Sequence, residues 1–217
     1  MPDFVITSLD EARPKGWFEL SIEGMPPLLI NAETILRHSL KAGESFNEAK
    51  LRKIKDEADI SWLKYKATKT LAIRMLSERD LRRKLSEEKR LPAARDEVIA
   101  QLKYYGLIDD LKYASSLVRT QIAHGPKSKL YLKKKLREKG IDDQTAENAI
   151  AAEFEGFDEI SAVREIALKK YKTVKYLPVE KAKGRVINFL RGRGFQWETI
   201  KKAIDGLFTA TDDSEYL

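Results

Sequence analysis

The 217-residue chain has no cysteine and only two histidines, His38 and His124. Without thiols it can form neither a disulfide nor a thiolate metal site, and a reducing cytoplasm suits it. No window approaches the roughly 18 apolar residues of a membrane span. The opening Met1-Pro-Asp-Phe-Val-Ile-Thr7 lacks the basic and then apolar pattern of a secretion signal. No G-x-x-x-x-G-K-[ST] phosphate loop occurs, so the chain is not expected to hydrolyse nucleotides itself. Asp109-Asp110 has no acidic or histidine cluster beside it, whereas a hard cation needs more oxygen ligands. Helix capping accounts for that pair and for Asp142-Asp143. His124, just before Gly125-Pro126, suits a helix C-terminus, and His38 is expected on the surface of a short helix. These absences predict a cytoplasmic, non-enzymatic protein with no catalytic residue, no metal, no cofactor and no membrane contact.

What is abundant is charge: 35% of residues are Asp, Glu, Lys or Arg, and the formal net charge is +7. It is unevenly placed, at −2 over residues 1–58, +12 over 59–210 and −3 over the tail 211–217. The attraction for polyanions therefore belongs to the middle and C-terminal part. Its densest stretch, Lys127 to Gly140, carries seven Lys/Arg against one acid, Glu138. Lys129, Lys133 and Arg137 follow at i+4 and make one positive helical stripe whose members repel one another. Such a stripe points to an external acidic surface or phosphate backbone, or else to a solvated outer face. Gly125-Pro126 is expected in the first turn of that helix and Gly140 at its stop.

The front end alternates like strands. Residues 3–9, 17–22 and 28–30 are β-rich, and Phe18, Leu20 and Ile22 alternate with polar neighbours. Ala32 to Leu40 reads as a short helix, and Ser45 with Glu48 reads as a capping box opening a helix to about Asp56. From Ile60 onward the pattern is helical and repeats. Leu85 is followed fourteen residues later by Ile99, Leu136 by Ile150, and Leu190 by Ile204. Turns separate each pair at Glu88-Lys-Arg-Leu91, Lys139-Gly-Ile141 and Arg193-Gly-Phe195. A further helix precedes each pair, at about 64–76, 110–123 and 158–171. Ser77 with Asp80, Pro92, Gly106, Asp158 and Pro178 mark boundaries. Repeats of this size imply stacked helical modules.

The run Tyr105-Gly-Leu-Ile-Asp109-Asp110-Leu-Lys-Tyr113-Ala114, then Gly125-Pro126, then Leu132-Lys-Lys-Lys-Leu136-Arg-Glu-Lys-Gly140-Ile141 resembles the RecX family. Ser77 to Leu85 is similar to the family's first repeat and Phe189 to Phe195 to its third. Glu88 to Leu91 departs from the Lys-Gly-apolar turn common there. The resemblance implies a mainly α fold: three tandem three-helix, helix-turn-helix-like repeats in an elongated curved array behind a small strand-containing N-terminal domain. The boundaries are 1–58 for the front region, 59–106, 107–156 and 157–210 for the repeats, and 211–217 for an acidic tail. It further implies a monomeric regulator that inhibits the RecA recombinase. Such a protein lies in the groove of the RecA–DNA filament and lowers its ATPase, strand-exchange and co-protease activities. It would bind single- and double-stranded DNA without sequence preference, in control of recombinational repair and the SOS response. The alternative is a helix-turn-helix DNA-binding protein, whose basic helices would enter the major groove.

The expected binding face is basic. It comprises Arg82 and Arg83 in the first repeat, and Lys127, Lys129, Lys133, Lys134 and Arg137 in the second. Lys181, Arg185, Arg191 and Arg193 complete it in the third. Tyr104, Tyr105, Tyr113 and Tyr131 are expected to pack between modules, with base stacking as the other option. Trp17, Trp62 and Trp197 give no signal separable from packing.

Overall fold

The computed structural model describes residues 4–88, 90, 92–156 and 158–208. The expected turn residues Lys89 and Leu91 and the acidic tail lie outside them. The chain divides into two compact units, Met1–Asp109 and Asp110–Leu217. Among the described residues there are four strands and ten helices, the mainly α architecture with a strand-bearing front end.

In the first unit, β1 (Phe4–Ala12), β2 (Trp17–Ile22), β3 (Leu28–Asn31) and β4 (Ser45–Phe46) form an antiparallel sheet in the order β3-β2-β1-β4. The alternation in β2 buries Leu20 and Ile22 and leaves Glu19 exposed. Between β3 and β4 lies α1 (Ala32–His38), capped by Asn31 and stopped by Ser39 in the left-handed region. His38 is not the surface residue expected: its side chain is 13% exposed, with Nε2 3.1 Å from Glu57 Oε2.

The expected capping box at Ser45 is replaced. Ser45 pairs with Val5 in the sheet, and Asn47 caps α2 (Glu48–Leu71) by accepting the Lys50 N–H. Buried Phe46 opposite Phe4 holds these residues extended, and Asn serves equally well as a cap two positions later. Nor does that helix end near Asp56. It runs unbroken for 24 residues, taking in most of the helix expected at 64–76, because no Gly or Pro interrupts it. Leu51, Ile54 and Ala58 of its first half close the sheet's core, and Leu63 and Ala67 of its second half close the next. Position 58/59 therefore falls inside a helix. α3 (Glu78–Ser86), capped by Ser77, and α4 (Pro92–Tyr104) complete this second core.

The second unit holds α5 (Asp110–Ala123), α6 (Lys129–Glu138), α7 (Asp143–Glu153), α8 (Glu159–Lys172), α9 (Val179–Arg191) and α10 (Trp197–Ile204). Asp142 and Asp158 cap α7 and α8, accepting the N–H groups of Thr145 and Ser161. Pro126 is not in the first turn of α6; Ser128 caps it and accepts the Tyr131 N–H. Gly140 (φ 81°) stops it, with Gly140 N–H to Arg137 C=O and Ile141 N–H to Leu136 C=O. The turn at Gly194 makes the same two bonds, to Arg191 and Leu190. This left-handed glycine stop reclaims end carbonyls and drops an apolar residue, Ile141 or Phe195, back onto the helix.

The fourteen-residue frame organises the packing. Leu85, Ile99, Leu136, Ile150, Leu190 and Ile204 are all buried. In each repeat the first helix packs on the third: α2 on α4, α5 on α7, α8 on α10. Among the described residues, buried apolar side chains form four clusters, one at the sheet and one in each three-helix unit.

Candidate binding surface

The basic residues separate into two populations. The first is neutralised within the fold. Arg82 bridges Glu78 (2.8 Å) and Asp96, and Lys103 also reaches Glu78 (2.7 Å). Lys103 first, together with Arg82, holds the Glu78 carboxyl below its ordinary range despite partial burial. Arg83 lies 3.2 Å from Asp80. In the second unit Lys133 pairs with Glu147 (2.6 Å), which raises its pKa, and Arg137 grips both oxygens of Asp143 at 2.9 Å. The bidentate fork keeps the Asp143 carboxyl below its usual value. Lys129 lies over the Phe154 ring at 5.5 Å. Of the stripe, Lys133 and Arg137 thus meet acids of α7 within the chain, whereas exposed Lys129 has no carboxylate within salt-bridge distance among the described residues. Arg82–Asp96 and Lys133–Glu147 occupy equivalent places fourteen residues apart. The third repeat has Ile187 and Lys201 there and makes no such pair among the described residues. Exposed Lys134 feels the charge of Glu138, itself hydrogen-bonded by Lys135 at 2.9 Å.

The second population has no carboxylate within salt-bridge distance among the described residues. Several of its members gather at the junction of the second and third repeats. The Ser128 N–H donates to the Arg193 carbonyl at 3.2 Å. A Cβ on Gly194 would stand 2.6 Å from Ser128 Oγ and 2.8 Å from Tyr131 Cβ. The α9–α10 turn therefore sits directly on the first turn of α6. This docking brings two cations together. Burial and then Arg193 depress the pKa of Lys127, whose ammonium lies over the Tyr131 ring at 5.1 Å. Arg193 stacks 3.8 Å from the Phe189 centroid, and its buried Nε has no hydrogen-bond partner. An adjoining cleft of about 410 Å³ carries Lys170 (over Phe189 at 5.6 Å), Lys169 and His124. Glu165 also lines it and is hydrogen-bonded by Lys169. Arg191 lies over Trp197 at 5.7 Å, and Lys181 and Arg185 on α9 are exposed. Cations set on aromatic rings with no carboxylate are available to an incoming anion.

Family profiles for the second and third three-helix domains of RecX match residues 109–150 and 158–204, the two helical triplets of this unit. Both triplets are matched as RecX domains, and the chain is similar to the RecX family. It is 24% identical over 208 residues to the regulatory protein RecX of Leuconostoc mesenteroides, covering 96% of this chain and 78% of that one. The Clostridium acetobutylicum RecX is 26% identical, covering 96% and 99%. A crystal structure of a regulatory protein RecX superposes with a TM-score of 0.69 at 21% identity, covering 93% of this chain and 99% of that one, and shows the shared fold. RecX from Lactobacillus salivarius gives 0.60 at 25%, covering 69% and 96%. A regulatory role comes with the RecX family. No described helix is long and apolar enough to cross a membrane.

The tyrosines divide. Tyr113 and Tyr131 pack against the second repeat's own core, where packing between modules is expected from the sequence, whereas Tyr104 and Tyr105 are 86% and 65% exposed. His124 donates from Nδ1 to the Thr120 carbonyl (2.7 Å), the expected helix-end role. An aromatic trio in the first unit, Trp17, Trp62 and Tyr65, is not foreseen from the sequence. The only signal for it is the run Trp62, Tyr65, Lys66, Lys69 on one helical face.

Proposed function

We propose that this RecX-like protein inhibits the RecA recombinase by binding in the groove of the RecA–DNA filament. Through it the chain lowers RecA's ATPase, strand-exchange and co-protease activities and so restrains recombinational repair and the SOS response. It acts as a cytoplasmic monomer and binds single- and double-stranded DNA without reading sequence. One observation carries the reading. After internal ion pairs are discounted, five cations of the expected face, Lys127, Arg193, Lys181, Arg185 and Arg191, have no carboxylate within salt-bridge distance among the described residues and gather around one repeat junction and its helix. Phosphates or acidic side chains of a nucleoprotein surface supply the missing partners. Arg82, Lys133 and Arg137 contribute less directly, because they hold helices together.

The test is RecA's DNA-dependent ATPase with substoichiometric amounts of this protein. Strong inhibition is expected, and Lys181→Glu/Arg185→Glu, two exposed positions, weakens it at least about tenfold with helix content unchanged. Tight binding to one duplex sequence with no effect on RecA overturns the reading in favour of a helix-turn-helix DNA-binding protein.

A further inference from the structure

In the first unit an open cleft of about 990 Å³ lies between the β1–β2 turn, the face of α2 and the end of α3. Its wall is the aromatic trio. Trp17 and Trp62 meet edge to face with centroids 5.0 Å apart, and Tyr65 lies 5.7 Å from each. Trp17 is buried, but Trp62, Tyr65 and Phe18 are half-buried and face the cleft. The apolar wall continues to Ile73, which is 80% exposed.

The rim is cationic. Glu88 is the one acid deep in the cleft. Burial raises its pKa, but the Trp62 indole N–H (2.7 Å) and Lys66 (2.9 Å) outweigh that and keep it ionised. Its charge is consumed by Lys66, which also covers the Trp62 ring at 5.1 Å. Lys15, Lys69 and Lys84 line the same cleft, are exposed, and have no carboxylate within salt-bridge distance among the described residues. Lys69 stands 5.9 Å over the Tyr65 ring. At the mouth, Glu11 and Arg13 add one charge of each sign.

We infer that this cleft binds single-stranded nucleic acid, taking an unstacked base against the Trp17–Trp62–Tyr65 wall while Lys15, Lys69 and Lys84 hold the flanking phosphates. An acidic peptide would satisfy the lysines and leave the aromatic wall idle. A base with its two phosphates uses both, and stacking on a π face needs no sequence. Duplex DNA keeps its bases stacked and offers only phosphates. The inference builds on the DNA-binding half of the proposed function and is independent of RecA.

Two of the three tryptophans line the cleft, and the third, exposed Trp197, lies in the other unit. In a Trp197→Phe background the fluorescence therefore reports the cleft. Titrating the full chain with oligo(dT) is expected to quench it. Lys15→Gln/Lys69→Gln/Lys84→Gln weakens the binding about tenfold and flattens its salt slope by about 0.7 for each phosphate no longer neutralised. Tyr65→Leu, which keeps an apolar side chain in place, reduces the quench with a similar loss of affinity. Oligo(dT) binding measured by anisotropy with no quench, and with the triple variant unaffected, overturns the inference. So does an equal quench from inorganic phosphate or an oligoglutamate. Because RecA is absent, quenching without RecA inhibition leaves this site standing, and inhibition without quenching removes it alone.

Discussion

At the scale of single residues, two of the left-handed glycines, Gly106 and Gly194, make different demands on their surroundings. Gly106 (φ 67°) has nothing within 4 Å of a would-be Cβ, so Gly106→Ala carries backbone strain alone and costs about 1 kcal/mol. Gly194 (φ 82°) also faces Ser128 and Tyr131, so Gly194→Ala forces the repeat junction apart and costs about 2 kcal/mol or more. Thermal denaturation of the two variants separates the effects. Lys127 acts in the opposite sense. The fold disfavours its charged form, a destabilisation fully present below its lowered pKa and relieved as pH rises toward the ordinary lysine value. Lys127→Met is therefore expected to raise the melting midpoint by about one or two degrees while weakening filament inhibition. A lowered midpoint shows that the stem's packing on Tyr131 outweighs the repulsion.

At the scale of elements, α6 and α7 are fastened by charge. Lys133→Glu sets two acids against each other, Glu147→Lys sets two bases, and the double reversal restores the pair. All four midpoints should lie within a few degrees, with the coupling shrinking in salt, as befits exposed pairs. The lowered pKa of Asp143 sets the pH dependence. Its contribution is present above the unfolded carboxylate pKa near 4 and lost as pH falls through the lower folded value. Arg137→Gln removes the cause, so that variant should lose less stability than the parent on acidification from pH 5 to 3. Helix starts at this scale were legible where the cap is a local hydrogen bond, as at Ser77, Asp142 and Asp158. The start of α2 was not, because the sheet claimed Ser45 for β4 before a cap could form there.

At the scale of the whole molecule, the useful quantity is how much of the +12 over residues 59–210 remains uncompensated by the fold. Single-stranded DNA affinity should fall steeply with salt, and the slope should drop by about 0.7 for each phosphate-binding cation removed. Lys181→Glu/Arg185→Glu is expected to flatten it, whereas Arg137→Gln, whose charge is already held by Asp143, should leave it nearly unchanged. Equal slopes for both variants would place the phosphate-binding residues elsewhere.

Sequence alone determined the helical repeat, its fourteen-residue frame, the glycine stops at Gly140 and Gly194, and the placement of net charge. Each depends on periodicity or on bonds within a few residues, which the chain carries wherever it is folded. Only the tertiary structure decided which cations remain available. Lys133 and Arg137 look as free in the sequence as Lys181 and Arg185, and they differ because Glu147 and Asp143 of α7 pair with the first two while no described carboxylate lies within salt-bridge distance of the others. It also decided that a tryptophan of a front strand meets two aromatics of a helix 45 or more residues away. Charge compensation and aromatic clefts belong to facing surfaces, and which surfaces face each other is settled by burying the apolar cores.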